Sequence, residues 1–450
     1  MIRYLLSSVL MLSYAHAFAA IVEFKQTLSD AIVFTTENSS LLKSVRASEE
    51  ANAFHAKASE ANLLPNLSLQ GNYFYQTNVP SLSLGPLNAN FGTHNNYSVG
   101  PALSYTVFDG GKDRDSYASA TLLARSAEQN KKSQEASLEL GTRQTYFRVQ
   151  YGLRQLELTV DSLRLSLAQD KDIEMRYKAG AASRLDEVQA KRDVLSYQLK
   201  FRQAQADLAG SFRDLLALEG NTQVLDTSCP VSPAVEEKLP QGIEVPTVRI
   251  DLDSLEGSLS ALSAKDSEFS FSGLNHPEVM SLQSQADASR HLAESERGAL
   301  FPRIVLQAKA YYEYPNVVLP ESVWQETLGA SLTFPLFEGD LSRSLANEDL
   351  KNAASNDFKH EQKLTDLSRD EDKAKDALIS LQAQKVICGE NINEAQEVER
   401  LTYQSYRAGK SRLLDVQDAN LKLLEAQVSA AQIDSEILNE MAILAYLSSK

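Results

Sequence analysis

The sequence predicts a membrane α/β-barrel fold class, an internally duplicated chain of long coiled-coil helices and four β-strands. Three observations carry it. Two segments 229 residues apart repeat each other, four segments alternate apolar and polar side chains, and two proline-free stretches of equal length outrun any globular helix.

The repeat is explicit. Tyr177–Ala190 reads YKAGAASRLDEVQA and Tyr406–Ala419 reads YRAGKSRLLDVQDA. At the same offset, Ser98–Gly111 (SVGPALSYTVFDGG) matches Thr327–Asp340 (TLGASLTFPLFEGD). Farther upstream the offset is 237, linking Asn38 to Asn275 and Leu64-Pro65 to Phe301-Pro302. The eight-residue difference therefore lies in the loop joining the two strands of each copy, where length changes are best tolerated.

The chain opens with Arg3, a mostly apolar Tyr4–Tyr14 and small-x-small sites at Ala15-His16-Ala17 and Ala17-Phe18-Ala19. That is an export signal over residues 1–17 or 1–19, with an apolar first helix of the mature fold as the competing reading. No later run approaches the length of a spanning helix. Residues 18–220 form the first repeat, 221–274 an irregular connector with four prolines and a short helix near Leu252–Leu262, and 275–450 the second repeat.

Each copy reads as helix, strand, loop, strand, long helix, turn, helix. In the first, a helical pattern over Leu28–Leu63 ends at Leu64-Pro65, because proline disfavours helix in the residue before it. Leu67, Leu69, Gly71, Tyr73 and Tyr75 then alternate with mostly polar residues, as do Tyr97, Val99, Leu103, Tyr105 and Val107. In the second, Ile304, Leu306, Ala308, Ala310, Tyr312 and Tyr314 alternate, followed by Leu328, Ala330, Leu332, Phe334 and Leu336. From Gly111 to Tyr177 and from Asp340 to Tyr406 there is no proline, and a helix that long spans roughly 100 Å. Leu153, Leu156, Val160, Leu163 and Leu167 step by three and four, the seam of a coiled coil, and Leu421, Leu424, Val428 and Ala431 repeat it. An ordinary bundle of long helices has the same seams but leaves the strands unexplained.

Four strands cannot close a barrel, and open edges cannot face hydrocarbon, where each unmet backbone group costs several kcal/mol. Three chains would supply twelve strands, beyond the eight or so a small barrel needs. Tyrosines near the strand ends fit an interfacial girdle. A soluble four-stranded sheet covered by helices fits the same alternation.

Composition narrows the function. The chain is 43% hydrophobic and 23% charged, which excludes wholesale disorder. A formal net charge of -16 argues against nucleic acid, whose phosphates need a basic face. Cys229 and Cys388 make no disulfide framework; they are two free thiols or one bridge formed after export. The six histidines are scattered, and no metal spacing, serine elbow or phosphate loop occurs, so neither an enzyme nor a cofactor is expected.

These residues resemble the TolC-type outer-membrane efflux and secretion channels over nearly the whole mature chain. The resemblance rests on the Leu-Pro and Phe-Pro before strands, on Phe108-Asp109-Gly110-Gly111 and Phe337-Glu338-Gly339 before the long helices, and on two Tyr-x-Ala-Gly turns followed by Leu-Asp. It implies a homotrimer in the outer membrane, with one twelve-stranded barrel continued by an α-helical coiled-coil tunnel through the periplasm. It implies a passive exit duct joined to a periplasmic adaptor (membrane fusion) protein and an inner-membrane pump. The alternative is a periplasmic coiled-coil structural or adaptor protein with a small sheet.

The two turns are the candidate site. Gly180 and Gly409 suit helix stops, and Ser183-x-x-Asp186 suits a capped helix start. Arg412 takes the place of Ser183 in the second copy, which weakens the capping pattern there. The resemblance implies a periplasmic gate at Asp415 and Asp418, six and nine residues after Gly409, with Tyr406 as closure tyrosine. The arginine the family carries two residues after the glycine is Ser411 here, with Arg412 beside it. Asp186 stands as a capping or neighbouring partner. In a threefold assembly each inward acid becomes a ring of three, which selects cations. Ala179, Gly180, Ala181, Ala408, Gly409 and Lys410 are the expected adaptor contacts, because small residues at a helical tip permit close approach.

Overall fold

A computed structural model describes residues 22–79, 81–84, 87–90, 92–221, 230–240, 248–263, 273–317 and 319–448. The export signal and Cys229 lie outside the described residues; Cys388 is half-buried and unpaired.

The first copy runs β1 (Val22–Gln26), α1 (Leu28–Asn38), α2 (Ser40–Ala61) and β2 (Asn66–Tyr75). The hairpin β3 (Ser81–Leu84) and β4 (Leu87–Asn90) precedes β5 (Asn95–Phe108), α3 (Lys112–Lys178) and α4 (Arg184–Leu218). The connector holds β6 (Pro230–Val231), α5 (Pro233–Glu236), β7 (Val248–Leu252) and α6 (Leu255–Ser263). The second copy runs α7 (Pro277–Gly298), β8 (Arg303–Tyr314), β9 (Val323–Thr333), α8 (Leu341–Arg407) and α9 (Leu413–Leu447). The two long helices are each 67 residues and the two that follow them each 35.

Two expectations are corrected. The single helix read over Leu28–Leu63 is broken at Ser39, whose ψ of 120° leaves the helical region. The connector expected to be irregular over residues 221–274 carries two strands in its described part, and with β1 these form a parallel sheet ordered β1-β7-β6. Val248 and Ile250 of β7 point inward and are fully buried.

The chain forms two compact units. Of the described residues, those within 22–39, 138–263 and 373–446 make up one, and those within 40–137, 273–372 and 447–448 the other. Each long helix gives its first part to the second unit and its remainder to the first. The core of the first unit is built from Tyr146, Phe147 and Leu156 of α3 with Phe201, Leu208 and Phe212 of α4. The parallel sheet and Leu438 and Met441 of α9 pack on it.

The second unit contains an antiparallel sheet ordered β2-β5-β8-β9. Its register pairs Leu67 with Leu103, Leu103 with Ala308 and Ala308 with Leu328. Directly paired residues share a face, so the apolar positions of all four strands form one continuous surface. It is open to the outside in the single chain: Leu69 is 77% and Leu328 83% exposed. At one end it carries an aromatic row, with Tyr73 opposite Tyr97, Tyr97 stacked on Tyr314 at 5.3 Å, and Tyr312 beside Trp324. The opposite face carries Ser68, Gln70, Ser98, Ser104, Gln307, Lys309, Glu313 and Thr327. Pairing to β8 skips Gly100 and Pro101, where proline has no N–H to give. A side chain at Gly100 would lie 1.8 Å from the Ala310 carbonyl oxygen, so only glycine fits.

The acid-glycine motifs turn strand into helix. Asp109 accepts from the backbone N–H groups of Gly111 (3.0 Å) and Asp113 (2.8 Å), satisfying donors at the start of α3. Glu338 does the same for Ser342 (3.1 Å) in α8. No described helix is long and apolar enough to cross a membrane.

Candidate functional site

Both predicted turns lie in the first unit and have the same backbone. Gly180 (φ 75°) and Gly409 (φ 74°) adopt the left-handed conformation just past the ends of α3 and α8. Ala181 N–H donates to the Arg176 carbonyl and Lys410 N–H to the Ser405 carbonyl, so each turn closes its helix's last carbonyls. A side chain at either glycine would meet nothing within 4 Å, so the backbone angle alone selects glycine. Ala179, Gly180, Ala181, Ala408, Gly409 and Lys410 are all exposed.

Asp186 forms the predicted capping box. It accepts from Ser183 N–H at 3.0 Å, and Ser183 Oγ accepts from Asp186 N–H at 3.1 Å. Asp415 keeps half of that arrangement despite the loss of the serine. It accepts from Arg412 N–H and from the Arg412 guanidinium, both at 3.0 Å, and these bonds hold its carboxyl below the usual range. Asp418 lies one turn along the same face and pairs with Lys422 at 2.7 Å. Asp415 and Asp418 thus each have a cation close by in sequence, Arg412 just before α9 and Lys422 within it.

The structure brings the two turns together. Arg176 on α3 donates to Asp172 at 2.9 Å and reaches the Arg407 carbonyl on α8 at 3.5 Å. The Tyr403 hydroxyl donates to the same Asp172 at 3.2 Å. Tyr406 packs on Ile173, Ala190, Leu413 and Val416. Burial and then the nearby charge of Asp186 push its hydroxyl pKa up. Asp186 and Tyr406 are therefore neighbours across the two copies. Sequence reasoning missed Asp172, Arg176 and Tyr403; the four-residue step from Asp172 to Arg176 and the place of Tyr403 three residues before Tyr406 are the signals that could have found them.

A groove between α4 and α9 is lined by Arg192, Asp193 and Leu199 on one side and Leu414, Asp418 and Leu421 on the other. Asp193 was also missed. Burial pushes its carboxyl up to about 6, opposed by Arg192. Among the described residues no cluster of His, Cys, Asp and Glu could hold a metal ion. The arrangement offers fixed charges, exposed small residues and a groove, which suit passage and docking.

The family model for outer membrane efflux proteins matches residues 32–221 and 273–448. No curated protein sequence matches the chain. Among solved structures, a membrane protein from Pseudomonas aeruginosa is 19% identical with a TM-score of 0.73, over 94% of this chain and 93% of its own. The outer membrane protein VceC of Vibrio cholerae is 16% identical with a TM-score of 0.74, covering 94% and 96%. The CmeC outer membrane channel of Campylobacter jejuni is 16% identical with a TM-score of 0.73, covering 94% and 85%. At these identities the likeness is one of fold.

Proposed function

Because the chain belongs to the outer membrane efflux protein family, we propose that three copies close a twelve-stranded outer-membrane barrel and continue it as a helical periplasmic duct. The duct is the passive exit of a tripartite efflux pump or a type I secretion system. A periplasmic adaptor meets it at the tips, and an inner-membrane pump supplies it.

The observation that carries this reading is the four-stranded sheet with one apolar face and two edge strands, β2 and β9. Edges that long, on a surface that apolar, are stable only when paired, and pairing β9 of one copy with β2 of the next removes every edge. The aromatic row then sits at a membrane interface and the polar face lines the lumen.

Threefold symmetry turns Asp415 and Asp418 into two rings of carboxylates, with Asp186, Tyr406 and Arg412 holding the turns that carry them. Ala179, Gly180, Ala181, Ala408, Gly409 and Lys410 present the small surface on which an adaptor's helices could close.

Outer-membrane fractions should contain a heat-labile trimer that needs detergent and conducts ions in planar bilayers. A purified protein that stays soluble and monomeric without detergent sinks the channel reading. Asp415→Asn with Asp418→Asn should weaken block by divalent cations in single-channel recording, and unchanged block removes these acids from the constriction.

A further inference from the structure

Beyond the main core, the first unit holds two small apolar clusters. One joins Leu158, Leu163, Val194, Tyr197 and Leu424. The other, at the turns, joins Ile173, Ala190, Leu413 and Val416. Between them the buried seam becomes polar on both sides. On α3, Leu163 is followed by Ser166 and Gln169 before Ile173; on α9, Val416 is followed by Gln417, the small Ala419 and Asn420 before Leu424. Gln169 (5% exposed), Gln417 (7%) and Asn420 (5%) are as buried as the clusters they separate.

These amides satisfy one another only in part. Asn420 Nδ2 donates to Gln169 Oε1 at 2.9 Å, and Gln417 Nε2 donates to the Gln189 carbonyl at 3.0 Å. Gln169 Nε2, Asn420 Oδ1 and Gln417 Oε1 are left buried with no hydrogen-bond partner among the described residues. A buried polar atom that forfeits water without gaining a partner weakens the packing around it. Beyond the layer, the turn region is held by the small cluster of Ile173, Ala190, Leu413 and Val416 with Tyr406 on it, by Glu187 paired with Arg184 and Lys191, and by the rim contacts of Asp172, Arg176 and Tyr403.

We propose that the Gln169–Gln417–Asn420 layer is a built-in weak joint, at which the turn region beyond it loosens as one unit while the Leu163–Tyr197–Leu424 cluster stays packed. Residues 170–190 and 403–416 make up that unit. Local opening of this kind follows the boundaries of cooperative clusters, and the layer is such a boundary. Its use rests on the channel reading, since a duct closed at its turns needs a part that moves; its mechanics do not.

Hydrogen–deuterium exchange on the full-length protein in detergent micelles tests it. Peptides from residues 170–190 and 403–416 should exchange together, at least about tenfold faster than those around Leu163 and Leu424. Replacing the layer (Gln169→Leu, Gln417→Leu, Asn420→Leu) should slow exchange in the turn region by about tenfold or more, because the unmet groups are gone. Equal rates on the two sides of the layer, or turn-region exchange unchanged by the replacement, overturn the proposal. If the triple variant does not fold, Ile173→Ala decides. It should speed exchange in the turn region alone, and equal acceleration around Leu163 overturns the proposal. Recording in bilayers separates the two readings. A wild-type protein that never conducts defeats the channel reading and leaves the exchange result standing.

Discussion

Asp193 illustrates how a residue's chemistry is set by its neighbours. Half-buried in the groove between α4 and α9, it holds its proton up to about pH 6, whereas an unfolded chain releases it at about 4. The folded state therefore binds more protons between those values, and stability contributed through this group falls as pH rises across that window and is level above it. Asp193→Asn should flatten that step in the melting midpoint of the detergent-solubilised protein and raise the midpoint at neutral pH. An unaltered profile would refute burial as the cause. Nothing local announces this shift, because the other wall of the groove is α9, more than two hundred residues away in sequence. Asp186, by contrast, was legible from Ser183-x-x-Asp alone, since a capping box is made within four residues. Asp415 falls between: the acid kept its role although Arg412 replaced the serine, because the arginine's own N–H supplies the donor.

The elements were legible where their period was long enough to count. The four strands of the antiparallel sheet and both 67-residue helices follow directly from alternation and from the absence of proline. The parallel sheet was not legible. β1 and β7 are five residues each, and their pairing joins segments over two hundred residues apart. The break at Ser39 was hidden because its flanking residues keep a helical pattern. Alternation also makes adjacent residues of β9 unequal. Leu328→Arg puts a charge on the apolar face, which costs about 2–4 kcal/mol at a bilayer midplane, and should sharply reduce trimer in outer-membrane fractions. Thr327→Arg, one residue away on the polar face, should leave trimer yield near normal. Equal loss from both would mean that neither face meets lipid.

At the scale of the whole molecule, the duplication governs what can change. The copies differ by eight residues in a loop between strands yet agree residue for residue in the lengths of their helices, 67 with 67 and 35 with 35. The agreement has a local cause: the two turns touch, through Arg176 and the Arg407 carbonyl and through the cluster around Ile173, so neither helix can end early alone. Removing seven residues from α3 withdraws its turn by about 10 Å and pulls α4, joined to it by residues 179–183, out of step with α8 and α9. That deletion should abolish assembly. The same seven-residue cut made in α3, α4, α8 and α9 together should restore a trimer detectable on unheated gels. If the single deletion assembles as well as the fourfold one, the turns do not depend on each other.

The contact between the turns also bears on how such a chain can lengthen or shorten over time. An insertion in one helix is a fault until three others match it, and a whole number of heptads is what leaves each seam facing inward without rewinding the helix. Intermediate lengths therefore meet resistance twice over. Length in this part of the protein behaves as a quantised trait, inherited in fours, while the loop between the strands is free to vary one residue at a time.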